Sequence, residues 1–337
     1  MRDSLRRLLR PPRPEPLPAP HLGFGAWTDL RGEVLGVCHP QWRGVRTAAH
    51  AFGDPVAETA DAGAHAEEIV AGAAASGVGT LVVHGFPPGA GRLLRTARDG
   101  GMATRVTVHS SMAQHVAEAG EAAMMDEVVE LAREGVVDRI GFVKAGLAEV
   151  FSALGLPAMH TPNRAPQMPV IHPFDPGPDG PHFGVFGDNY WRKNVGTQLG
   201  AVTLLGGTAH VMIRPPARYM AAMTVREHGE MDRESFLSVQ AAMDLNLYAT
   251  LSECHPMGPL ESFLSGVPAL LSRTSDLFRS DRGLWETVTM DSPDDPTLVA
   301  GAARRLLDEG EDVVTRARAW IAAADAEARE RWAQFLS

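Results

Sequence analysis

Residues 244–272 read DLNLYATLSECHPMGPLESFLSGVPALLS and form the most informative segment of the chain. Its pattern predicts a buried strand over Leu245–Ala249, a loop, a helix with Pro259 in its first turn, and a strand over Pro268–Ser272. A strand that returns through a helix to a second strand is typical of a parallel sheet, in which ligands bind at the carboxyl ends of the strands. The residues after the first strand are therefore candidates for a binding site.

Two carboxylates flank the predicted start of this helix. Glu253 lies on the loop, and Glu261 lies in the first predicted helical turn. Between them, the backbone amides of Met257, Gly258 and Leu260 are expected to point out of the helix start, which suits a phosphate. Carboxylates on either side of a phosphate site predict a ligand with the layout of a nucleotide sugar. The alternative is that Glu261 only complements the helix dipole and Glu253 is a solvated loop residue.

Strands and helices alternate on both sides of a proline-rich segment. Residues 165–181 contain six prolines and two glycines, which fits a connection between domains. We predict an α/β domain over 22–168, a linker over 169–182, a second α/β domain over 183–315 and a C-terminal helix over 316–337. In the first domain the predicted strands are Val34–Cys38, Thr80–His84, Arg105–His109 and Ile140–Val143. In the second they are Phe183–Phe186, His210–Ile213, Leu245–Ala249 and Pro268–Ser272.

Charge and composition restrict the class of protein. The 337 residues carry a net charge of −10, which argues against binding nucleic acid through a basic face and disfavours a nucleic-acid acceptor. No run approaches the roughly 18 apolar residues of a transmembrane helix, and residues 1–21 lack the apolar core of a secretory signal. Cys38 and Cys254 fit neither a disulfide framework nor a zinc site. We therefore expect a cytoplasmic protein.

Residues 1–21 combine five arginines with six prolines. Proline at this density cannot continue a helix or a strand ladder, which predicts a disordered arm. The alternative is a basic anchor for an anionic surface or partner. The chain has only two lysines, Lys144 and Lys193, so a lysine here carries more information than an arginine.

The spacing within 244–272 resembles the donor-binding domain of GT-B glycosyltransferases, particularly the retaining enzymes of glycosyltransferase family 4. Their signature is two glutamates separated by seven residues, followed by a small residue, glycine, any residue and proline; Glu253, Glu261, Gly266 and Pro268 match it. The resemblance implies that Glu253 approaches the donor sugar hydroxyls and that Glu261 binds the ribose. It also implies an α/β GT-B fold, with two Rossmann-like domains facing a central cleft and the C-terminal helix packed back on the N-terminal domain.

Residues 185–194, VFGDNYWRKN, resemble the same family's first strand after the linker and its diphosphate-binding loop. Gly187 matches the glycine of that loop, and Lys193 falls where the family's lysine contacts the diphosphate and stabilises its developing charge. Asp188 stands where the family usually has an arginine, so either Arg192 compensates or the donor phosphates are held differently. The alternative for Lys193 is a surface lysine at a helix start, where the dipole disfavours it.

The remaining candidates follow strands of the N-terminal domain. His109 ends a predicted strand and resembles the family's histidine near the transferred sugar and donor phosphate, which implies a role at the reacting centre. His84 ends the preceding strand, and His39, Trp42 and Arg43 follow the first strand, where the family keeps a mobile acceptor or phosphate loop. These four are predicted acceptor-side residues. The alternative for His84 and His109 is a satisfied histidine at a strand end.

The resemblance therefore implies a glycosyltransferase that moves a sugar from a UDP- or GDP-type nucleotide-diphosphate sugar to an acceptor hydroxyl, with retention of configuration. His109, Lys193 and Glu253 are its predicted catalytic residues. No Asp-x-Asp metal signature stands at a strand end, so we predict no metal and no cofactor beyond the nucleotide-sugar co-substrate. The acceptor is a small molecule, a glycan or a lipid. Two alternatives stay open: another GT-B enzyme, such as an epimerase or phosphorylase, and a non-catalytic nucleotide-binding protein with a degenerate donor site.

Overall fold

The computed structural model of the chain describes residues 33–188 and 190–337, and the predicted arm at 1–21 lies outside the described residues. The strands of the N-terminal domain are β1 (Val34–Cys38), β2 (Val56–Glu58), β3 (Thr80–His84), β4 (Ala103–Val108), β5 (Arg139–Phe142) and β6 (Ala158–His160). Its helices are α1 (Arg43–Ala51), α2 (Ala66–Ala75), α3 (Ala90–Asp99), α4 (Met112–Ala117), α5 (Ala119–Arg133) and α6 (Leu147–Ala153). The strands form one parallel sheet in the order β2-β1-β3-β4-β5-β6.

The C-terminal domain repeats this plan. Its strands are β7 (His182–Val185), β8 (Thr208–Val211), β9 (Thr224–Glu227), β10 (Leu245–Tyr248), β11 (Ala269–Ser272) and β12 (Thr289–Met290). Its helices are α7 (Val195–Leu205), α8 (Ala217–Met220), α9 (Arg233–Gln240), α10 (Met257–Ser265), α11 (Arg282–Val288), α12 (Pro296–Asp308) and α13 (Gly310–Leu336). The second parallel sheet has the order β12-β11-β10-β7-β8-β9. The predicted pair of Rossmann-like α/β domains is confirmed.

Each sheet has its own core because helices cover both of its faces. The apolar run Leu81-Val82-Val83 in β3 is fully buried, as expected for a central strand of a parallel sheet. In the second domain, Leu245 and Leu247 of β10 pack with Phe263 of α10 in a separate cluster. The clusters fix the directions of the strands, so the loops at their carboxyl ends are held in place on rigid elements.

The last helix, α13, ties the end of the chain to the N-terminal domain. Arg105 of β4 donates from Nε to the Phe335 carbonyl over 2.6 Å and from Nη2 to the Leu336 carbonyl over 2.7 Å. Trp332 donates from Nε1 to Asp54 Oδ2 over 2.9 Å. The two domains are therefore joined both by the linker and by this helix, which begins at Gly310, before the predicted boundary.

Several short elements were not predicted from sequence. The edge strands β2, β6 and β9 have only three or four residues each, too few to give an alternating or apolar pattern. Helix α1 occupies part of the segment predicted as an acceptor or phosphate loop. It was not predicted as a helix because its first turn carries arginine and glycine instead of an apolar stripe. In the described part of the chain, no helix is long and apolar enough to cross a membrane.

Candidate active site in the interdomain cleft

The two domains face each other across a cleft of about 620 Å³. The cleft lies at the carboxyl ends of strands from both sheets, where open α/β sheets bind ligands. The predicted site residues that line it are Trp42, Arg43, His109, Arg192, Lys193, Met257, Gly258 and Glu261. The predicted site residues that lie behind this lining are His39, His84, Gly187, Glu253 and Leu260.

Glu253 binds two cationic side chains through one oxygen. Lys193 donates from Nζ to Glu253 Oε1 over 2.6 Å, and Arg192 donates from Nη1 to the same atom over 2.9 Å. Burial disfavours the charged form of Glu253, but the Lys193 ammonium and the Arg192 guanidinium outweigh burial and hold the pKa of this carboxyl below its usual value. The two cations, rather than the carboxylate, form the surface of the cleft here.

The loop after β7 is shaped to present Lys193. A Cβ on Gly187 would lie 3.0 Å from both Lys193 Cβ and Val195 Cγ2, so glycine lets the loop fold closely on the lysine. Asn194 adopts the left-handed region at φ 53°, which asparagine tolerates better than most residues. Its Nδ2 donates to the Ala249 carbonyl over 2.8 Å and fixes the turn against β10. Gly187 thus supports the lysine instead of lining the cleft.

Helix α10 has Pro259 in its first turn, as predicted, and begins at Met257. Pro256 is its N-cap, with φ −70° and ψ 136°. Pro259 is tolerated at the third position because first-turn amides have no partner within the helix. The first-turn amides of Met257 and Gly258 are therefore free. Leu260 lies at the fourth position with its side chain buried, and the role of its amide stays a prediction.

Tyr248 explains why position 258 holds glycine. A Cβ on Gly258 would lie 2.8 Å from Tyr248 Oη. Gln240 holds the pair together, since its Nε2 donates to Tyr248 Oη over 2.6 Å and to the Gly258 carbonyl over 3.0 Å. Burial raises the pKa of Tyr248, so the phenol stays protonated at the cleft surface. The sequence analysis missed this residue, which lies in what looks like an ordinary buried strand.

Glu261 lies in the second turn of α10, not the first, because the helix begins at Met257. Arg233, at the start of α9, donates from Nη2 to Glu261 Oε1 over 3.0 Å and also lines the cleft. Burial raises the pKa of Glu261, and the Arg233 guanidinium offsets only part of that effect. Arg233 was not predicted from sequence, since almost all of the chain's basic residues are arginines and none stands out.

His109 reaches the cleft from β4, with a second histidine beneath it. The Thr107 hydroxyl lies 2.9 Å from His84 Nδ1 and 3.3 Å from His109 Nε2. Burial lowers the pKa of His109 to about 4, so its imidazole is neutral at neutral pH. His84 packs against the stacked pair Phe52 and Trp332, with ring centroids 5.9 and 5.8 Å away, and is absent from the cleft lining. As a direct acceptor contact, His84 is not supported by this position.

Of the acceptor-side candidates after β1, two line the cleft and one lies behind its surface. His39 is buried and stacks on Trp42 with ring centroids 4.8 Å apart, while Trp42 is 37% exposed and lines the cleft. Arg43 begins α1 and faces Glu230 of the other domain, with Nη2 3.9 Å from Oε1. Trp42 and Arg43 therefore stand at the cleft surface, and His39 supports Trp42 from behind.

Solved structures with the same arrangement of domains come from sugar-phosphate synthases. A sucrose-phosphate synthase from Thermosynechococcus elongatus matches with a TM-score of 0.60 at 15% identity, covering 80% of this chain and 75% of that chain. A UDP-forming trehalose-phosphate synthase from Burkholderia xenovorans matches with a TM-score of 0.57 at 10% identity, covering 91% and 99%. The chain has the GT-B fold. An apo structure of OtsA matches it with a TM-score of 0.61 at 11% identity, covering 89% and 98%.

At these identities the likeness shows the GT-B fold and leaves the activity to be argued from the site. A scan against protein-family models finds no match, and a search of curated proteins finds no significant one.

Side chains hold the two halves of this GT-B fold together beside the cleft. Lys144, after β5, donates from Nζ to Asp276 Oδ1 over 2.9 Å, and the Ala145 amide donates to Asp276 Oδ2 over 2.7 Å. Ser111 and Ser252 share a buried hydrogen bond of 2.7 Å. Lys144, which the sequence analysis left without a role, therefore joins the N-terminal domain to the loop after β11.

Lys193, Arg192 and the first-turn amides of α10 lie together on the C-terminal side of this GT-B cleft. Within 33–188 and 190–337, no group of three or more histidine, cysteine, aspartate or glutamate side chains is arranged to hold a metal ion. The predicted metal independence stays a prediction for experiment.

Proposed function

We propose that this chain is a glycosyltransferase that moves a sugar from a UDP- or GDP-type nucleotide-diphosphate sugar to an acceptor hydroxyl, with retention of configuration and without a metal ion. The observation that carries the proposal is the convergence of Lys193, Arg192 and Glu253 beside the free amides of α10, across the cleft from His109. The fold likeness to a sucrose-phosphate synthase and to a UDP-forming trehalose-phosphate synthase supports it.

Donor binding would exchange partners at Glu253. The diphosphate offers Lys193 and Arg192 oxygens of higher charge than one carboxylate, and charge-assisted bonds to phosphate are strong. Both cations then turn from Glu253 to the diphosphate, which also receives the Met257 and Gly258 amides. The released Glu253 carboxylate then accepts hydrogen bonds from the donor sugar hydroxyls.

Glu261 and Arg233 would form the nucleoside end of the same site. The ribose hydroxyls are donors, and Glu261 has a carboxylate oxygen to receive them beside the one that binds Arg233. Glu261 lies one turn further along the helix whose first amides face the phosphates. One rigid helix would therefore bind both the ribose and the diphosphate.

In the transfer step, the bond between the anomeric carbon and the diphosphate oxygen breaks, and its electron pair stays on the diphosphate. Lys193 stabilises that charge. The acceptor hydroxyl forms the new bond from the same face, and its proton goes to the departing phosphate oxygen. His109, with a pKa of about 4, is a weak base at neutral pH, so we assign it a hydrogen-bonding role at the reacting sugar.

The test is a turnover assay by NMR with UDP- and GDP-sugars, in the presence and absence of a chelator. We expect release of a nucleoside diphosphate, a product with the donor's anomeric configuration, and equal rates with and without chelator. Inversion of configuration would overturn the retaining assignment, and loss of turnover with chelator would overturn metal independence. A folded protein that consumes none of the donors would overturn the proposed function.

A further inference from the structure

A carboxylate on the N-terminal wall of the cleft has no partner. Glu121 lies in the first turn of α5 and lines the cleft, and its Oε2 is buried without a hydrogen-bond partner. Across residues 33–188 and 190–337, no cationic side chain forms an ion pair with it. Leaving a buried carboxylate oxygen unsatisfied costs free energy, and the side chain recovers it by turning this oxygen toward a hydroxyl bound in the cleft.

The usual structural roles do not account for Glu121. A glutamate at the third position of a helix can accept the N-cap amide, but here the amide of the N-cap, Glu118, already donates to the Gln114 carbonyl over 3.0 Å. The residues three and four positions along, Met124 and Met125, carry no charge, so no ion pair forms along the helix. What remains is its attraction to the helix dipole, which leaves Oε2 unpaired.

In the part of the chain that the structure describes, Glu121 has no cationic partner, unlike the two carboxylates of the proposed donor site. Glu253 is compensated by Lys193 and Arg192, and Glu261 is compensated by Arg233. In the proposed donor complex, those cations turn from the carboxylates to the phosphates. Glu121 brings no such cation, so it presents negative charge to whatever occupies this side of the cleft.

The arginines of the same domain do not neutralise this wall. Arg46 donates from Nη1 to the Pro40 carbonyl over 3.2 Å and lies 3.7 Å from Glu58. Arg43 points across the cleft toward Glu230. Neither arginine pairs with Glu121, so an acceptor that placed a phosphate beside Glu121 would meet an uncompensated carboxylate.

The lining near Glu121 also includes polar, uncharged side chains. Ser110 lines the cleft next to His109, and its Oγ lies 2.8 Å from His115 Nε2, which fixes the hydroxyl. Gln114, in the preceding helix α4, also lines the cleft. Hydroxyl, amide and carboxylate groups on one surface match the hydrogen-bonding pattern of a sugar or polyol.

We propose that the wall formed by Ser110, Gln114 and Glu121 is the acceptor subsite and that it selects an uncharged sugar or polyol. Glu121 accepts hydrogen bonds from acceptor hydroxyls and repels an acceptor that carries a phosphate at that position. This inference rests on the proposed glycosyl transfer, and it assigns Glu121 as a residue that determines acceptor specificity.

The test compares wild type, Glu121→Gln and a control, Asp126→Asn, which removes the same charge from an exposed position on the same helix. With the nucleotide sugar that wild type turns over, kcat/KM is measured for glucose, myo-inositol, glycerol and glucose 6-phosphate. We expect wild type to favour an uncharged acceptor over glucose 6-phosphate. Glu121→Gln should lower kcat/KM for that acceptor by about ten-fold or more and reduce its preference over glucose 6-phosphate, because a hydrogen bond to a charged group is lost. Affinity for the nucleoside diphosphate should not change.

Wild-type preference for glucose 6-phosphate, or an acceptor profile that Glu121→Gln leaves unchanged, would overturn the inference while donor turnover continued. Absence of nucleoside diphosphate release from wild type in every arm would instead overturn the proposed function, and the inference with it. A fall of the same size in Asp126→Asn would show a general charge effect and would also overturn the assignment of Glu121.

Discussion

The Lys193 ammonium lies 2.6 Å from Glu253 Oε1. This contact joins the two residues that separate sequence motifs assign to the donor diphosphate and to the donor sugar. It also means that the lysine is already neutralised before any ligand binds. A nucleotide sugar must therefore compete with Glu253 for Lys193, and it wins only because a diphosphate carries more charge than one carboxylate.

Replacing Lys193 by glutamine is expected to weaken binding of a nucleoside diphosphate by about ten-fold or more, because a charge-assisted hydrogen bond is lost. Isothermal titration calorimetry with UDP and GDP measures the change. Arg282→Gln is the control, since that side chain is 88% exposed and does not line the cleft. Equal affinity of Lys193→Gln and wild type would contradict the role of Lys193.

Lys144→Met should lower the free energy of unfolding by about 1–3 kcal/mol, because it leaves the Asp276 carboxylate buried with one cation fewer. Urea denaturation measures the loss. Arg279→Met is the matched control, since Arg279 pairs with the same carboxylate at 2.9 Å from within the same domain and is more exposed. We expect a smaller loss for the control. A larger loss in Arg279→Met would argue that the interdomain pair contributes little.

Gly258→Ala should be destabilising by about 1–3 kcal/mol, because the added methyl would overlap with Tyr248 at 2.8 Å and displace either the phenol or the helix start. It should also weaken nucleotide binding, since the Gly258 amide moves. Gly44→Ala is the control: it lines the same cleft, and its added Cβ would meet nothing within 4 Å. Thermal melts of both variants settle the comparison, and equal melting temperatures would be inconsistent with the Tyr248 contact.

Stability should fall as the pH drops below about 6.5, the ordinary pKa of histidine. Burial lowers the pKa of His109 to about 4 and that of His210 and His255 to about 3, so the unfolded chain binds protons first. Their contribution is fully present above about 6.5 and is lost toward the folded-state values, by up to about 1.4 kcal/mol per pH unit for each histidine. Burial raises the pKa of Glu261, so this carboxyl has the opposite effect on stability as the pH falls, but it is one group against three histidines. Urea denaturation between about pH 7.5 and 5 checks the slope, and a flat profile would contradict it.

The central strands were predictable because their patterns are local. The bounds of Val34–Cys38 and Thr80–His84 agree with the structure. Pro259 lies in the first turn of α10 as predicted, but at its third position, because Pro256 ends the extended segment and the helix begins at Met257. Glu261 therefore lies in the second turn instead of the first.

Some residues of the candidate site belong to short sequence motifs, and others are defined only by a contact with a distant part of the chain. Glu253, Glu261 and Lys193 were found from spacing within short motifs. Arg233 and Tyr248 were missed because each is defined by a partner elsewhere in the chain, Glu261 for Arg233 and Gly258 for Tyr248. A local pattern carries no information about such contacts.

The donor site is tested by the melting temperature of the protein with a panel of UDP, GDP and their sugar conjugates. A ligand that binds only the folded state must raise the melting temperature as its concentration increases. We predict that at least one of these nucleotides does so, and that Lys193→Gln shows a smaller shift with the same compound. A folded protein whose melting temperature responds to none of them would contradict the donor site in the cleft.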